Sequence, residues 1–237
     1  MISRIFLMMN LLTVISFAAD VSAQLTGVFK RLENGEKQTV VLYGTSLTIG
    51  GEWAMAMKTW FDKTYPGQVT FVNSGKGGAN SDFGAKKLEE RVLAHRPDFV
   101  LIEFSYNDAI DKVLSPEQAW NNLDRMVSEI LKQNPEAAVV LQTMNTGWDP
   151  RPDHLPFSRR ARLETFNDNY RRYAKEHALP FIDHYPNWLR LKEQESEKFQ
   201  AYLPDGSHPT PEASLAITWP SVKALLEAAS ASTISKS

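Results

Sequence analysis

Short apolar runs alternate with amphipathic segments along most of the chain. Five of these runs are nearly continuous in hydrophobicity and rich in β-branched or aromatic residues, which is typical of parallel strands covered on both faces. The strands are predicted at residues 39–43, 69–73, 99–104, 138–143 and 180–182. The chain is therefore expected to build its core around a parallel sheet.

Helical patterns separate the predicted strands. The best-defined helix begins at Ser115-Pro116, where a capping serine precedes proline at the first helical position, and Leu123, Val127 and Ile130 follow with helical spacing. Weaker patterns cover residues 52–65, 81–94 and 158–178, and Thr210-Pro211-Glu212 begins a last helix that runs to about residue 228. The alternation predicts a three-layer α/β/α sandwich, in which ligands bind at the carboxyl ends of the strands.

The first 23 residues do not fit this alternation. A basic residue, Arg4, precedes an apolar run, and a small-x-small sequence ends at Ala23 before Gln24, which predicts a signal peptide cleaved near Ala23. A buried first helix and a membrane anchor are the alternatives, but Asn10 interrupts the run and leaves it short for a bilayer. We therefore expect export to the periplasm or the extracellular space, without stable membrane insertion after cleavage.

One domain is expected after the signal peptide. Residues 24–228 are predicted to form this domain, with a polar lead-in at 24–38, and 229–237 to be a low-complexity, disordered tail. The formal net charge of −2 and the lack of a basic run give no electrostatic footprint for nucleic acid. The chain has no cysteine, so disulfides and lipid attachment at cysteine are unavailable.

Polar residues follow the first and third predicted strands. After the first, Gly44 and Thr45 precede Ser46 on a tight turn, where Gly44 is expected to let the backbone bend. The G-x-S-x-G elbow is not matched, because Thr48 stands where its last glycine should be. After the third strand, Asn107 can aim its amide at a developing negative charge, although an Asn-Asp pair is also common in helix caps and turns.

The glycine-rich loop at 73–80 follows the second predicted strand. Such a loop presents backbone N–H groups that can hold an anion or an oxyanion. The P-loop spacing is absent, and a flexible turn is the alternative.

Near the C-terminus, Asp205 and His208 are three residues apart across a turn. This offset lets the carboxylate reach the imidazole Nδ1 and leaves Nε2 to take a proton from a hydroxyl. The pair precedes the last predicted helix, near the carboxyl ends of the strands. It is therefore the candidate for an oriented base.

Four blocks, in this order along the chain, resemble the SGNH hydrolases, also called the GDSL family. They are Gly44-Thr45-Ser46-Leu47-Thr48, Asn73-Ser74-Gly75-Lys76-Gly77-Gly78, Ser105-Tyr106-Asn107-Asp108 and Asp205-Gly206-Ser207-His208. Thr45 stands in place of the family's usual aspartate, and Ser105 in place of its usual glycine. Neither position is expected to supply a reacting group.

The resemblance implies a flavodoxin-like, mostly parallel, five-stranded sheet and the hydrolysis of carboxylic esters without a cofactor or metal. Ser46 is then the nucleophile, His208 its base and Asp205 the residue that orients the imidazole. The backbone N–H groups of Ser46 and Gly78 and the Asn107 amide form the oxyanion hole. The expected partner is a small-molecule or polysaccharide ester.

The loop at 145–157 bears on the substrate. It is long and proline-stiffened, and it carries Trp148 and Arg151, whose aromatic and polar groups suit a sugar ring. We predict that both residues bind substrate and that the ester is a short-chain O-acetyl group on carbohydrate. A packed loop with Trp148 in its own small core is the alternative, and lysophospholipases and thioesterases share the same four blocks.

Two interpretations outside serine catalysis stay open. Asp183, His184, Asp205 and His208 could ligate zinc, although no H-E-x-x-H or comparable spacing is present. A non-catalytic ligand-binding domain on the same fold is the other, because a fold does not dictate function.

Overall fold

The computed structural model describes residues 22–150 and 160–234. The strands are β1 (Gln38–Gly44), β2 (Val69–Asn73), β3 (Phe99–Glu103), β4 (Ala138–Gln142) and β5 (Phe181–Ile182). The helices are α1 (Ala23–Glu33), α2 (Ser46–Ile49), α3 (Glu52–Thr64), α4 (Ser81–Arg91), α5 (Ser105–Asp108), α6 (Pro116–Gln133), α7 (Leu163–Glu176), α8 (Tyr185–Gln194), α9 (Ser196–Tyr202), α10 (Pro211–Ala213) and α11 (Trp219–Ile234). A 3₁₀ turn covers Leu93–His95, and a π-helical turn at Ser214–Thr218 joins α10 to α11.

The sheet is parallel throughout and has the order β2-β1-β3-β4-β5. This is the flavodoxin-like order, so the predicted fold class is confirmed. The order reverses between β1 and β3, and such a switch point opens a crevice at the carboxyl ends of the strands. Ser46 is the first residue of α2 and is separated from β1 only by the N-cap residue of that helix. Asn107 lies in α5, the short helix after β3.

Apolar side chains are buried on both faces of the sheet. Along β1, Val40 and Leu42 join the cluster that includes residues of α1, α3 and α11, whereas Val41 and Tyr43 join the cluster of α4, α6 and α7. Burial on alternating sides explains why the strand runs are continuously apolar. It also explains why each strand boundary lies within one residue of its prediction.

The prediction of a polar lead-in at 24–38 is wrong. Its first part lies in α1, which buries Leu25, Val28, Phe29 and Leu32. These residues have the i, i+3, i+4, i+7 spacing of a helix face, which the polar residues between them obscured. They all follow Ala23, so the predicted cleavage would leave the buried face of α1 in the protein. Residues 1–21, the rest of the predicted signal peptide, lie outside the described residues.

The C-terminal segment is also more ordered than predicted. α11 continues to Ile234, through most of the segment expected to be a disordered tail. Ala229 is fully buried, and Ser232 Oγ lies 3.2 Å from Thr26 Oγ1 of α1. The small side chains of this segment let α11 approach α1. The low sequence complexity had suggested disorder and gave no sign of this contact. In the part of the chain that the structure describes, no helix is both long and apolar enough to cross a membrane.

A third apolar cluster supports the segment that carries Asp205 and His208. It consists of Trp188, Leu191, Phe199, Leu203 and Ala213. From its edge, the Leu203 carbonyl accepts a hydrogen bond from Gly206 N at 2.8 Å. The turn at 205–208 is therefore anchored to a packed unit beside the sheet.

Candidate active site

Ser46 begins α2 immediately after the capping residue Thr45. Thr45 Oγ1 accepts a hydrogen bond from Leu47 N at 3.1 Å, so strand and helix are joined within one residue. Gly44 permits this turn by its size, because a Cβ there would lie 2.6 Å from both the carbonyl oxygen and Oε1 of Glu103. The φ of Gly44 is not positive, so close packing is what requires a glycine at this position.

Glu103 lies fully buried beneath the Ser46 turn and was missed by the sequence analysis. Its Oε1 accepts three hydrogen bonds of 2.7 Å, from Thr45 N, Thr45 Oγ1 and Thr48 Oγ1. Burial raises the pKa of Glu103 to about 7, although the hydrogen bonds act to lower it. Thr45 thus contacts a carboxylate supplied by the neighbouring strand. The available signal was a charged residue inside an otherwise apolar strand.

The structure brings Ser46, His208 and Asp205 into one chain of hydrogen bonds. Ser46 Oγ lies 2.8 Å from His208 Nε2, and His208 Nδ1 lies 2.6 Å from Asp205 Oδ2. Because a carboxylate only accepts hydrogen bonds, Nδ1 carries the ring hydrogen and Nε2 accepts from the Ser46 hydroxyl. This tautomer is the one in which a histidine can remove a serine proton.

Backbone groups hold the Asp205 carboxylate in place. Its Oδ1 accepts hydrogen bonds from Ser207 N at 2.9 Å and His208 N at 2.7 Å. Partial burial acts to raise the pKa of Asp205, but the hydrogen bonds from His208 and Ser207 outweigh it and hold the pKa below its ordinary value. The side chains of His208 and Asp205 are 45% and 56% exposed, so the site is open to solvent.

Asn107 is buried in α5, and both ends of its amide are bonded. Nδ2 donates to the Ala79 carbonyl at 2.8 Å, and Oδ1 accepts from Arg160 Nη2 at 3.1 Å. Helix capping was the alternative for the Asn-Asp pair, but the N-cap of α4 is Asn80, and Asp108 Oδ1 accepts from Ser81 N at 2.7 Å. Among the described residues Nδ2 has this single acceptor, so its second hydrogen can be donated to another group.

The glycine-rich loop lies against the Ser46 turn. Asn73 connects them, because its Nδ2 donates to the Thr48 carbonyl at 3.0 Å and its Oδ1 accepts from Gly75 N at 3.2 Å. Gly78 has φ +73°, a left-handed conformation that side chains rarely adopt. Within the described ranges, the backbone N–H groups of Gly78 and Ser46 donate to no backbone acceptor.

Trp148 packs beside the turn at 205–208, which carries Asp205 and His208. It contacts the third apolar cluster, and its Nε1 donates to the Leu203 carbonyl at 2.7 Å. Together with Arg160 it lines a cavity of about 350 Å³ whose lining does not include Ser46 or His208. Arg151, the other predicted substrate-binding residue, lies outside the described residues.

The four residues of the zinc interpretation are not brought together. His184 is buried with Nε2 3.2 Å from Gln142 Oε1, and burial lowers its pKa to about 4. Asp183 accepts hydrogen bonds from Thr143 Oγ1 and Arg171 Nε. Within residues 22–150 and 160–234, no three His, Cys, Asp or Glu side chains are grouped so as to hold a metal ion.

A flavodoxin-like sheet with serine, histidine and aspartate arranged in this way defines a class, the SGNH-type hydrolases of carboxylic esters. The sequence model of the GDSL-like Lipase/Acylhydrolase family matches residues 42–214. The chain belongs to this family.

Two relatives illustrate the activities of proteins that the chain resembles. Thioesterase 1/protease 1/lysophospholipase L1 of Escherichia coli (strain K12) is 23% identical over 178 residues, which cover 74% of this chain and 77% of the relative. The arylesterase of Vibrio mimicus is 26% identical over 153 residues, covering 61% of this chain and 64% of the relative.

Solved structures share the fold at low sequence identity. A two-domain esterase active on acetylated mannans has a TM-score of 0.69 at 23% identity, over 90% of this chain and 54% of that one. The acetylxylan esterase Axe2 from Geobacillus stearothermophilus has a TM-score of 0.64 at 17% identity, over 81% of this chain and 95% of that one.

Proposed function

We propose that the protein is an exported serine esterase that removes short acyl groups, in particular O-acetyl groups, from carbohydrate. The observation that carries the proposed mechanism is the hydrogen-bond chain from Ser46 through His208 to Asp205. Export rests on the amino-acid pattern of residues 1–23.

The first half of the reaction forms an acyl-enzyme. Ser46 Oγ attacks the acyl carbon of the ester while its proton passes to His208 Nε2, and Asp205 stabilises the resulting imidazolium. The carbonyl oxygen becomes an oxyanion that accepts hydrogen bonds from the N–H groups of Ser46 and Gly78 and from Asn107 Nδ2. The intermediate then collapses, and the leaving alcohol takes the proton from His208.

The second half of the reaction releases the acid. A water molecule gives a proton to His208 Nε2 and attacks the acyl carbon, which produces a second oxyanion on the same donors. When this intermediate collapses, Ser46 Oγ takes the proton back and the carboxylic acid leaves. His208 thus accepts and returns the proton in both halves of the cycle.

Three observations support an O-acetylated carbohydrate as the substrate. The exposed His208 and Asp205 are accessible to a bulky polymer. Trp148 is partly exposed and offers an aromatic face near the turn at 205–208, since its N donates to the Gly206 carbonyl at 3.0 Å. Two solved structures with this fold are esterases of acetylated mannans and acetylxylan.

We expect acetate release from acetylated oligosaccharides, with higher catalytic efficiency than on p-nitrophenyl esters of long-chain acids. The measurement is kcat/KM across acetylated xylo- and manno-oligosaccharides and p-nitrophenyl esters of two to twelve carbons. Preference for chains of eight or more carbons, with no acetate released from any sugar, would contradict the proposed substrate. If the protein hydrolysed none of these esters, the proposed class of reaction would be contradicted.

A longer acyl chain is the second candidate. Ile49, in the same short helix as Ser46, is 47% exposed. An exposed apolar side chain in the helix that carries the nucleophile is suited to contact an acyl chain. The relative from Escherichia coli is named a thioesterase and lysophospholipase. Acyl-thioesters and lysophospholipids therefore belong in the same substrate panel.

Activity is expected to fall on acidification, because a protonated His208 cannot accept the Ser46 proton. Burial raises the pKa values of Glu103 and Asp108 to about 7, so these two carboxyl groups also take up protons on acidification. Glu103→Gln removes the Glu103 contribution, since the glutamine carbonyl oxygen keeps the three hydrogen bonds and the amide cannot titrate. The acid limb of the kcat/KM profile should persist in this variant. If it disappears, Glu103 and not His208 controls the profile.

A chelator tests the zinc interpretation directly. Activity should survive exhaustive treatment with EDTA, because serine, histidine and aspartate alone perform the proposed reaction. Inactivation that added zinc reverses would favour the metal interpretation over the proposed one.

A further inference from the structure

Arg160, which lies outside the four family blocks, contacts the turn that carries Asn107 in three ways. Its Nε donates to the Tyr106 carbonyl at 2.6 Å, and its Nη2 donates to Asn107 Oδ1 at 3.1 Å. Its guanidinium carbon lies 3.7 Å from the centroid of the Tyr106 ring. The guanidinium therefore holds both the backbone and the side chain of this turn.

These contacts determine which way the Asn107 amide faces. A guanidinium only donates hydrogen bonds and a carbonyl only accepts them, so Oδ1 must face Arg160 and Nδ2 must face Ala79. A flipped amide would place two donors together at Arg160 and two acceptors together at Ala79. The positive charge of the Arg160 guanidinium beside Oδ1 also draws electron density from the amide, which makes its N–H a stronger donor.

α7 begins shortly after Arg160, and two of its side chains form hydrogen bonds with the residues just before Tyr106. Ser105 Oγ donates to Asn167 Oδ1 at 2.9 Å, and Phe104 N donates to Tyr170 Oη at 2.9 Å. Ser105, the residue that replaces the family's usual glycine, is thus buried and bonded to α7. Arg160 differs from Asn167 and Tyr170 because it alone of the three bonds to the Asn107 amide.

We propose that Arg160 is a positioning residue for the oxyanion hole. It holds the Asn107 amide with Oδ1 toward the guanidinium, so that Nδ2 is on the opposite side and can donate to the reacting carbonyl oxygen. The inference rests on the proposed function, because it requires Asn107 to donate to the oxyanion. The role differs from substrate binding, since the contacts of Arg160 with this turn are made to Tyr106 and Asn107 themselves. Its loss should therefore lower kcat and leave KM nearly unchanged.

The experiment is a double-mutant cycle on the full chain with a short-chain ester. Asn107→Ala should lower kcat by about 10²–10³-fold with little change in KM. Arg160→Met should lower kcat by about 10–100-fold through loss of alignment. In the Asn107→Ala background, Arg160→Met should cause no further loss, because the amide that it positions is gone.

Arg162→Met is the matched control. Arg162 lies two residues further along, partly buried, where its Nη2 donates to the Leu114 carbonyl at 3.0 Å and its guanidinium carbon lies 5.4 Å from the centroid of the Phe166 ring. It has no hydrogen bond to the Asn107 turn among the described residues, so its loss should leave kcat unchanged. If Arg160→Met does not fold, Arg160→Lys serves in the same cycle, because lysine keeps the charge but not the planar pair of donors.

The outcomes separate this inference from the proposed function. Full turnover in Asn107→Ala would overturn the oxyanion role of Asn107 and the inference together. A large loss in Asn107→Ala with full turnover in folded Arg160→Met or Arg160→Lys would overturn the inference alone. So would losses that multiply in the double variant, or a rise in KM without a fall in kcat.

Discussion

Replacing Ser46 by alanine is expected to lower kcat/KM by about 10⁴-fold or more, because alanine cannot form the acyl-enzyme. The fold should be unaffected, since the Ser46 side chain is not part of either large apolar cluster and the turn is held by Thr45 and Glu103. The measurement is turnover of a short-chain ester together with the melting temperature. Turnover close to that of the unmodified protein would exclude Ser46 as the nucleophile.

Two controls accompany this variant. Ser115→Ala also removes a serine from a helix N-terminus, where Ser115 Oγ accepts from Gln118 N at 3.1 Å. It should lower stability by about 1 kcal/mol and leave turnover unchanged. An organophosphonate probe should label the unmodified protein once and the Ser46→Ala variant not at all, as read by intact mass. A protein that no such probe labels would fit the non-catalytic ligand-binding interpretation.

Replacing Asp205 by asparagine is expected to lower turnover by about 10⁴-fold with the geometry preserved. Two backbone N–H groups already bond to Asp205 Oδ1, so the asparagine carbonyl will take that position and its NH₂ group will face His208 Nδ1. Nδ1 must then accept, and the ring hydrogen moves to Nε2, opposite Ser46 Oγ. The histidine is held in the tautomer that cannot remove the serine proton.

Asp98→Asn is the matched control for this substitution. Asp98 Oδ2 accepts from Thr39 N at 2.8 Å, away from the site, and asparagine can make the same bond. Its turnover should stay at the level of the unmodified protein. An Asp205→Asn variant that also kept its turnover would show that the carboxylate does not orient His208.

The sequence alone was sufficient for the strands and for the separate parts of the candidate site. Strands buried on both faces must be apolar throughout, so their bounds can be read from composition. The bond between Asp205 and His208 spans three residues, and an offset of that kind is visible locally. The blocks around Ser46 and Asn107 could be placed because each follows a predicted strand, and parallel strands bring their carboxyl ends to one edge.

Tertiary structure decided the contacts that depend on which elements pack together. Glu103 lies under the Ser46 turn because β1 and β3 are neighbours in the sheet, and nothing local to either strand encodes that pairing. Arg160 contacts Asn107 across 53 residues, and in the sequence it is one charged residue in an arginine-rich stretch. The buried face of α1 forms only once sheet and α11 are present to cover it. Local patterns report what a segment prefers, whereas burial and long-range hydrogen bonds depend on its neighbours in the fold.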